Sequence, residues 1–228
     1  MPRDSLTREQ IVRTAVELLD EEGLDGLNMR DLGRRLNAAA TAVYWHVKNK
    51  DDLLLLAGDR VWSEIEFADP DALGWRDAAT AMATGLHAMF ERHPWLVQAF
   101  GSHLFYGEGK ARYDDHCLAV HEAGGLTGAA ADRAAAAVFT YVLGNVLGAS
   151  ATVSLTRRLS RGGKDAEAAM RDAMEKATEV AMRFPRLRAR LDAPAAADYA
   201  GAPEETFEYG LRALLDGIEA ERAAAVPS

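Results

Sequence analysis

Between residues 7 and 52 the chain carries three helix-start signals, so closely spaced that only short helices fit between them. Thr7-Arg8-Glu9-Gln10 reads as a capping box, with Leu6 and Ile11 placed as a hydrophobic staple. A helix is therefore expected from residue 8, with Ile11, Ala15, Leu18 and Leu19 on its apolar face. Gly23 stands where a left-handed C-terminal glycine would end it near Glu22. Asn28 can cap a second helix through Leu36, with Met29, Leu32 and Leu36 inward, and Asn37 tolerates a left-handed turn. A third short helix is expected over residues 40–47, and Asn49 with Asp52 opens a fourth through about Phe67. Three short helices with a tight turn between the second and third outline a helix-turn-helix domain.

Beyond Asp69-Pro70 the apolar spacing predicts helices only, over about 73–92, 95–104, 111–123, 127–156, 165–183 and 204–224. Gly124-Gly125 mark a sharp turn, and Pro185, Pro194 and Pro203 bracket an alanine-rich connector read as loop. The expected fold is all-α, with a helix-turn-helix domain at residues 1–50 and a larger helical domain at 51–228 that begins with a connecting helix at 51–67. Residues 134–156 are uncharged and long enough to cross a bilayer, but they hold Asn145, two serines and three threonines and lack an aromatic belt. A helix buried on all sides by protein fits them better, and Gly144 and Gly148 would permit close helix approach.

An apolar fraction of 49% suffices for a real core. The formal charge is -9, which argues against a surface that coats nucleic acid throughout. Residues 28–50, however, hold Arg30, Arg34, Arg35, Lys48 and Lys50 against Asp31 alone, +4 locally, leaving -13 for the remainder. Positive charge concentrated there suits a compact DNA-reading element on an acidic body. Cys117 is the one cysteine and the first ten residues lack an apolar secretion-signal core, so a cytoplasmic protein is expected.

The stretch TAVYWHVKNKDDLL at 41–54, with LTREQIVRTAVELLDEEGLDGLNMRDLGRRL before it, resembles the TetR family of repressors. Further on, His103-Leu104, Tyr113-Asp114, Leu143-Gly144 and FEYGLRALLDGIEA at 207–220 are similar to its tetracycline-repressor branch. The resemblance implies that the third helix enters the major groove, presenting Ala40, Thr41, Ala42 and Tyr44 to base edges. It further implies that Arg30 reaches a base or phosphate, and that Tyr44, His46 and Lys50 hold the phosphate backbone. The family's usual Ser-Pro or similar start of that helix is replaced by Ala38-Ala39-Ala40. Val43, Trp45 and Val47 are expected in the core, while Arg34 and Arg35 fit either a phosphate contact or a solvated face.

For the larger domain the resemblance implies a small-molecule inducer, and His103 matches the histidine that holds a magnesium-chelated drug in that branch. Met82, Leu86, Met89, Tyr106, Tyr141 and Asn145 complete the expected ligand set, although an asparagine on an otherwise apolar helix is more often a core or dimer amide. The carboxylate that follows in the branch is absent after Gly144, so the oxygens a magnesium ion needs are missing and a metal-free, more apolar ligand is expected, with no cofactor. His116, His121, Asp114, Asp115 and Cys117 show no zinc spacing. A homodimer through 127–156 and 204–224 is expected, the latter presenting Leu211, Leu214, Leu215 and Ile218. Two other classes fit less well. An enzyme with a fused DNA-binding domain lacks any nucleophile or phosphate-loop motif. A ligand-free architectural DNA binder has no use for about 160 residues of methionine-rich body.

Overall fold

Thr7 Oγ1 accepts from the Gln10 amide at 3.2 Å while Gln10 Oε1 accepts from the Thr7 amide at 2.9 Å, so helix α1 (Arg8–Gly26) starts where its capping box places it. These coordinates are a computed structural model, which describes residues 6–161, 165–193 and 203–225. Gly23 has φ +69 and ends the regular helix, and one further turn to Gly26 follows the break. Asn28 accepts from the Asp31 amide at 2.9 Å and starts α2 (Met29–Arg35), which stops before Asn37 at φ +47. The next helix, α3 (Ala40–Val43), is shorter than the expected 40–47, because residues 44–46 form turns and Ala39 offers no side-chain cap. α4 (Lys50–Trp62) opens with Asn49 accepting from Asp52 at 2.7 Å. It ends five residues short of Phe67, since the amides of Ser63, Glu64 and Ile65 each bond three residues back and tighten the chain out of the α-helix.

The body comprises α5 (Pro70–Leu73), α6 (Trp75–Arg92), α7 (Pro94–Ala99), α8 (Glu108–Ala123), α9 (Ala129–Arg161), α10 (Ala166–Ala181), α11 (Pro185–Leu191) and α12 (Pro203–Ala225). No strand occurs among the described residues. Pro185 opens a helix where a loop was expected, because proline's fixed φ and missing N–H suit a first helical position. The Pro194 stretch of that connector lies outside the described residues. Helices α6, α7 and α8 all pack on α9, and α12 packs on α9 and α6. One apolar core runs from Ile11 to Ile218, with Trp62, Leu86, Met89, Phe90 and Trp95 fully buried in it. Each such side chain contributes about 1.5–3 kcal/mol by leaving water.

Two expectations about α9 and α12 need correction. The uncharged helix is not buried on all sides: Ala131, Ala134, Val138, Val142, Val146 and Ser150 form one covered stripe. Its opposite face is open, with Leu147 55% exposed and nothing within 4 Å of a Cβ built at Gly144 or Gly148. The α12 stripe goes the other way. Leu211, Leu215 and Ile218 are buried within this same chain and Leu214 is half-buried, so that stripe serves the core before any partner arrives.

Candidate functional site

The α2–α3 surface gathers most of the residues chosen for DNA contact. Arg30, in the first turn of α2, is exposed and makes no ion pair among the described residues. On and just after α3, Thr41 and Tyr44 are exposed while Ala40, Ala42 and His46 are half-buried. Lys50 is exposed, yet its ammonium donates to the Leu24 carbonyl at 3.1 Å and so also ties α4 to the end of α1. Arg34 and Arg35 are engaged by acidic neighbours, Asp31 at 3.0 Å and Glu21 at 2.6 Å.

Trp45 overturns its expected core placement. It is 88% exposed, while Val43 and Val47 are buried at 0% and 2%. Positions four apart share a helical face, so the two valines turn inward together. A residue midway between them must face elsewhere. The large apolar ring is thereby laid open beside Tyr44 on the surface that carries Thr41.

A second constellation joins this head to the body. His93, at the α6–α7 junction, is only 6% exposed. Its Nδ1–H donates to Asp20 of α1 at 2.7 Å and its Nε2–H to Glu64, just past α4, at 3.0 Å. The Trp95 indole donates to the same Asp20 oxygen at 2.7 Å, and from α9 Arg157 donates to the Asp20 carbonyl and Arg161 to the Glu22 carbonyl. Burial alone would push the His93 pKa down. The hydrogen bonds and charges of Asp20 and Glu64 outweigh it, and the net shift is upward. The C-terminal end of α1 is thus held by four side chains, His93 and Trp95 from the α6–α7 segment and Arg157 and Arg161 from α9. Sequence reasoning missed this clamp, since its members lie far apart along the chain and none belongs to a local motif.

The ligand candidates fall in different places. Met82, Leu86 and Met89 lie fully buried on one face of α6, and Met82 lines an enclosed cavity of about 10 Å³ between α6, α8 and α9. Tyr141 on α9 donates to the carbonyls of Thr206 and Phe207 at 3.0 and 2.9 Å, binding α9 to α12. Asn145 accepts from His87 at 3.0 Å, and that imidazole packs at a tilt against Phe207 with centroids 4.2 Å apart. His103 lies in the loop after α7, bonded to Ser102 at 2.9 Å with its Nε2 3.7 Å from Asp51 of α4. Tyr106, in the same loop, is 68% exposed. Of the seven, Met82 alone is among the side chains lining the cavity. Tyr113, Cys117 and His121, one turn apart along α8, line it too. Their spacing of four along α8 is the signal in the sequence that they share one face.

Residues 11–57 match the family described as bacterial regulatory proteins, tetR family, and residues 67–222 match the tetracyclin repressor-like C-terminal domain. The chain belongs to the TetR family. It is 32% identical over 223 residues to the HTH-type transcriptional repressor DrrR1 of Streptomyces coeruleorubidus, covering 96% of this chain and 79% of that protein. To the tetracycline repressor protein class C of Escherichia coli it is 30% identical over 226 residues, 96% and 93% of the two chains. An HTH-type transcriptional regulator of Saccharopolyspora erythraea shares 38% identity over 141 residues, which are 62% of this chain and 60% of that protein. Among solved structures, the TetR family protein ActR of Streptomyces coelicolor in complex with actinorhodin superimposes with a TM-score of 0.74 at 28% identity, over 96% and 98% of the chains. The present TetR-family chain is a ligand-responsive, DNA-binding transcriptional repressor with an N-terminal helix-turn-helix and a larger helical C-terminal domain.

Proposed function

We propose that this repressor binds a near-palindromic operator as a two-fold homodimer and leaves it when a small, largely apolar, metal-free molecule enters the body. The observation that carries the DNA half is the sorting of α3 and the turn after it: Val43 and Val47 are buried while Thr41, Tyr44 and Trp45 face out, with Arg30 exposed on α2. In this reading Arg30, Ala40, Thr41, Ala42 and Tyr44 meet the major groove, and His46 and Lys50, with Trp45 added, lie along the backbone. The head is residues 1–50 and the body 51–228, with the open face of α9 around Gly144, Leu147 and Gly148 meeting its copy, flanked by α12. Half-sites then lie about one helical turn, or a multiple of it, apart. Arg30→Ala is expected to cost about 1–3 kcal/mol and relax one base position. Lys50→Ala should weaken all sequences alike and lower the salt slope by about one per subunit. Footprinting with a salt titration checks both, and equal weakening on every sequence by Arg30→Ala would move Arg30 to the phosphates.

The ligand half rests on the body's buried α6 face and on relatives whose names record small molecules, actinorhodin for one and tetracycline for another. His103, Met82, Leu86, Met89, Tyr106, Tyr141 and Asn145 remain the ligand set proposed, without a magnesium ion, because imidazole alone can orient one carbonyl or hydroxyl whereas the hard cation wants several oxygens. The protein is taken to work in the cytoplasm and to turn nothing over. To swing the two head spacings from 1:99 to 99:1, the ligand must prefer one by about 10⁴-fold, which asks for an enclosed site. A compound screen for release of labelled operator, run with and without EDTA, tests this. Release that persists on chelation is expected; release abolished by EDTA would restore the metal-bound mode.

A further inference from the structure

His121, on α8, is 2% exposed. Its Nδ1–H donates to the Cys117 carbonyl at 2.7 Å, which leaves the ring's lone pair on Nε2. That nitrogen is fully buried and has no hydrogen-bond partner among the described residues. The ring lines the enclosed cavity whose other walls include Ala79, Met82, Ala83, Tyr113 and Val138. Tyr113 is buried beside the Cys117 thiol, and no hydrogen bond joins its hydroxyl to His121 among the described residues. A buried acceptor left bare is a standing cost, and one that persists inside a folded core calls for a reason.

We propose that His121 Nε2 is the hydrogen-bond acceptor of the ligand site in the body, and that the ligand is a neutral aromatic molecule bearing a hydroxyl or phenol donor. This rests on the ligand-responsive reading, keeps only Met82 of the ligand set given above, moves the polar contact from His103 to His121, and names the ligand's chemistry. The acceptor calls for a donor. No Asp, Glu, Lys or Arg lines the cavity, so nothing there balances an ionic ligand. Tyr113 and the thioether of Met82 supply surfaces that suit a flat ring. At about 10 Å³ the cavity has room for a single water, which could meet His121 Nε2, the Tyr113 hydroxyl and the weakly bonding Cys117 thiol, so the test names that water as an outcome. Room for a ring system comes from the wall itself: Met82 is unbranched and adaptable, and Ala79, Ala83 and Ala135 keep α6 and α9 from filling the space. His121 escapes a motif search because its role depends on what it lacks.

The test uses the full chain and two probes that differ in one donor, 2-naphthol and 2-methoxynaphthalene. Calorimetry is expected to show 2-naphthol binding about tenfold more tightly to the wild type, the size of one buried hydrogen bond, and the two probes binding alike to His121→Phe. In wild-type protein labelled with ¹⁵N-histidine, the His121 Nε2 resonance should move toward its hydrogen-bonded position with 2-naphthol and stay put with the methyl ether. This second measurement decides alone if His121→Phe does not fold. The proposal is overturned if the preference survives in His121→Phe, if neither probe binds the wild type, or if Nε2 is already hydrogen-bonded in the free protein and unmoved by 2-naphthol, the mark of a buried water only. Discrimination that depends on His121 while no compound releases the operator would uphold this site and count against the ligand-responsive reading instead.

Discussion

Asp20→Ala is expected to destabilise the protein by about 3 kcal/mol, lowering the thermal midpoint by roughly 6–12 °C. The aspartate oxygen serves both the His93 ring and the Trp95 indole, and removing it leaves a buried cation and a buried donor without their partner. The figure sits at the low end for a broken buried pair because the side chains of Asp20 and Glu64 keep 31% and 30% of their exposure. Asp20→Asn, which can still accept from the indole, should lose less. The same clamp predicts a pH dependence. His93 has a folded pKa above its unfolded value of about 6.5, so its contribution is complete below that value and is lost as pH rises through the folded one. The charged neighbours are Asp20, Glu64, Arg92 at 3.5 Å from Glu64, and Arg157 on the Asp20 carbonyl. Thermal melts of wild type and Asp20→Ala between pH 6 and 9 check this, and the wild type should lose its advantage toward the alkaline end. An advantage that grew with pH would mean His93 is held neutral. Because Asp20 is on α1, its loss should also blunt operator release while leaving ligand affinity nearly intact.

Gly33→Val is expected to abolish specific operator binding, by about 100-fold or more, with the body still folded. A Cβ at Gly33 would sit 2.8 Å from the Ala38 carbonyl oxygen and 3.2 Å from the Ala40 amide nitrogen. Both are backbone atoms of the α2–α3 turn, so they cannot rotate aside as a flexible side chain would. The bulk must push α3 off α2, and readout of base edges depends on α3 lying at one depth and angle in the groove. Operator titration alongside circular dichroism separates the two effects. Wild-type affinity in Gly33→Val would show that the α2–α3 contact does not set the reading head.

Most of the head was legible because its instructions are local. Thr7 with Gln10, Gly23, Asn28, Asn37 and Asn49 each act on backbone groups within four residues of themselves, so their pattern places helix ends whatever the rest of the chain does. The all-helical body followed from apolar spacing in the same way. Trp45 was misplaced because an aromatic residue between two buried valines looks like core until the helix rotation is known. The α12 stripe of Leu211, Leu215 and Ile218 was legible as apolar, but only packing decided that α9 and α6 of the same chain cover it. The His93 clamp and the bare nitrogen of His121 were beyond any sequence pattern. The first joins residues up to 139 positions apart, from Glu22 to Arg161. The second is defined by an absent partner, and whether a buried group finds one depends on which helices come to lie around it. Local chemistry thus determined the elements and their ends, while burial, which belongs to the whole assembly of helices, decided which side chains of the head are exposed, which bind the head to the body and which polar atoms, His121 Nε2 among them, are left without a partner among the described residues.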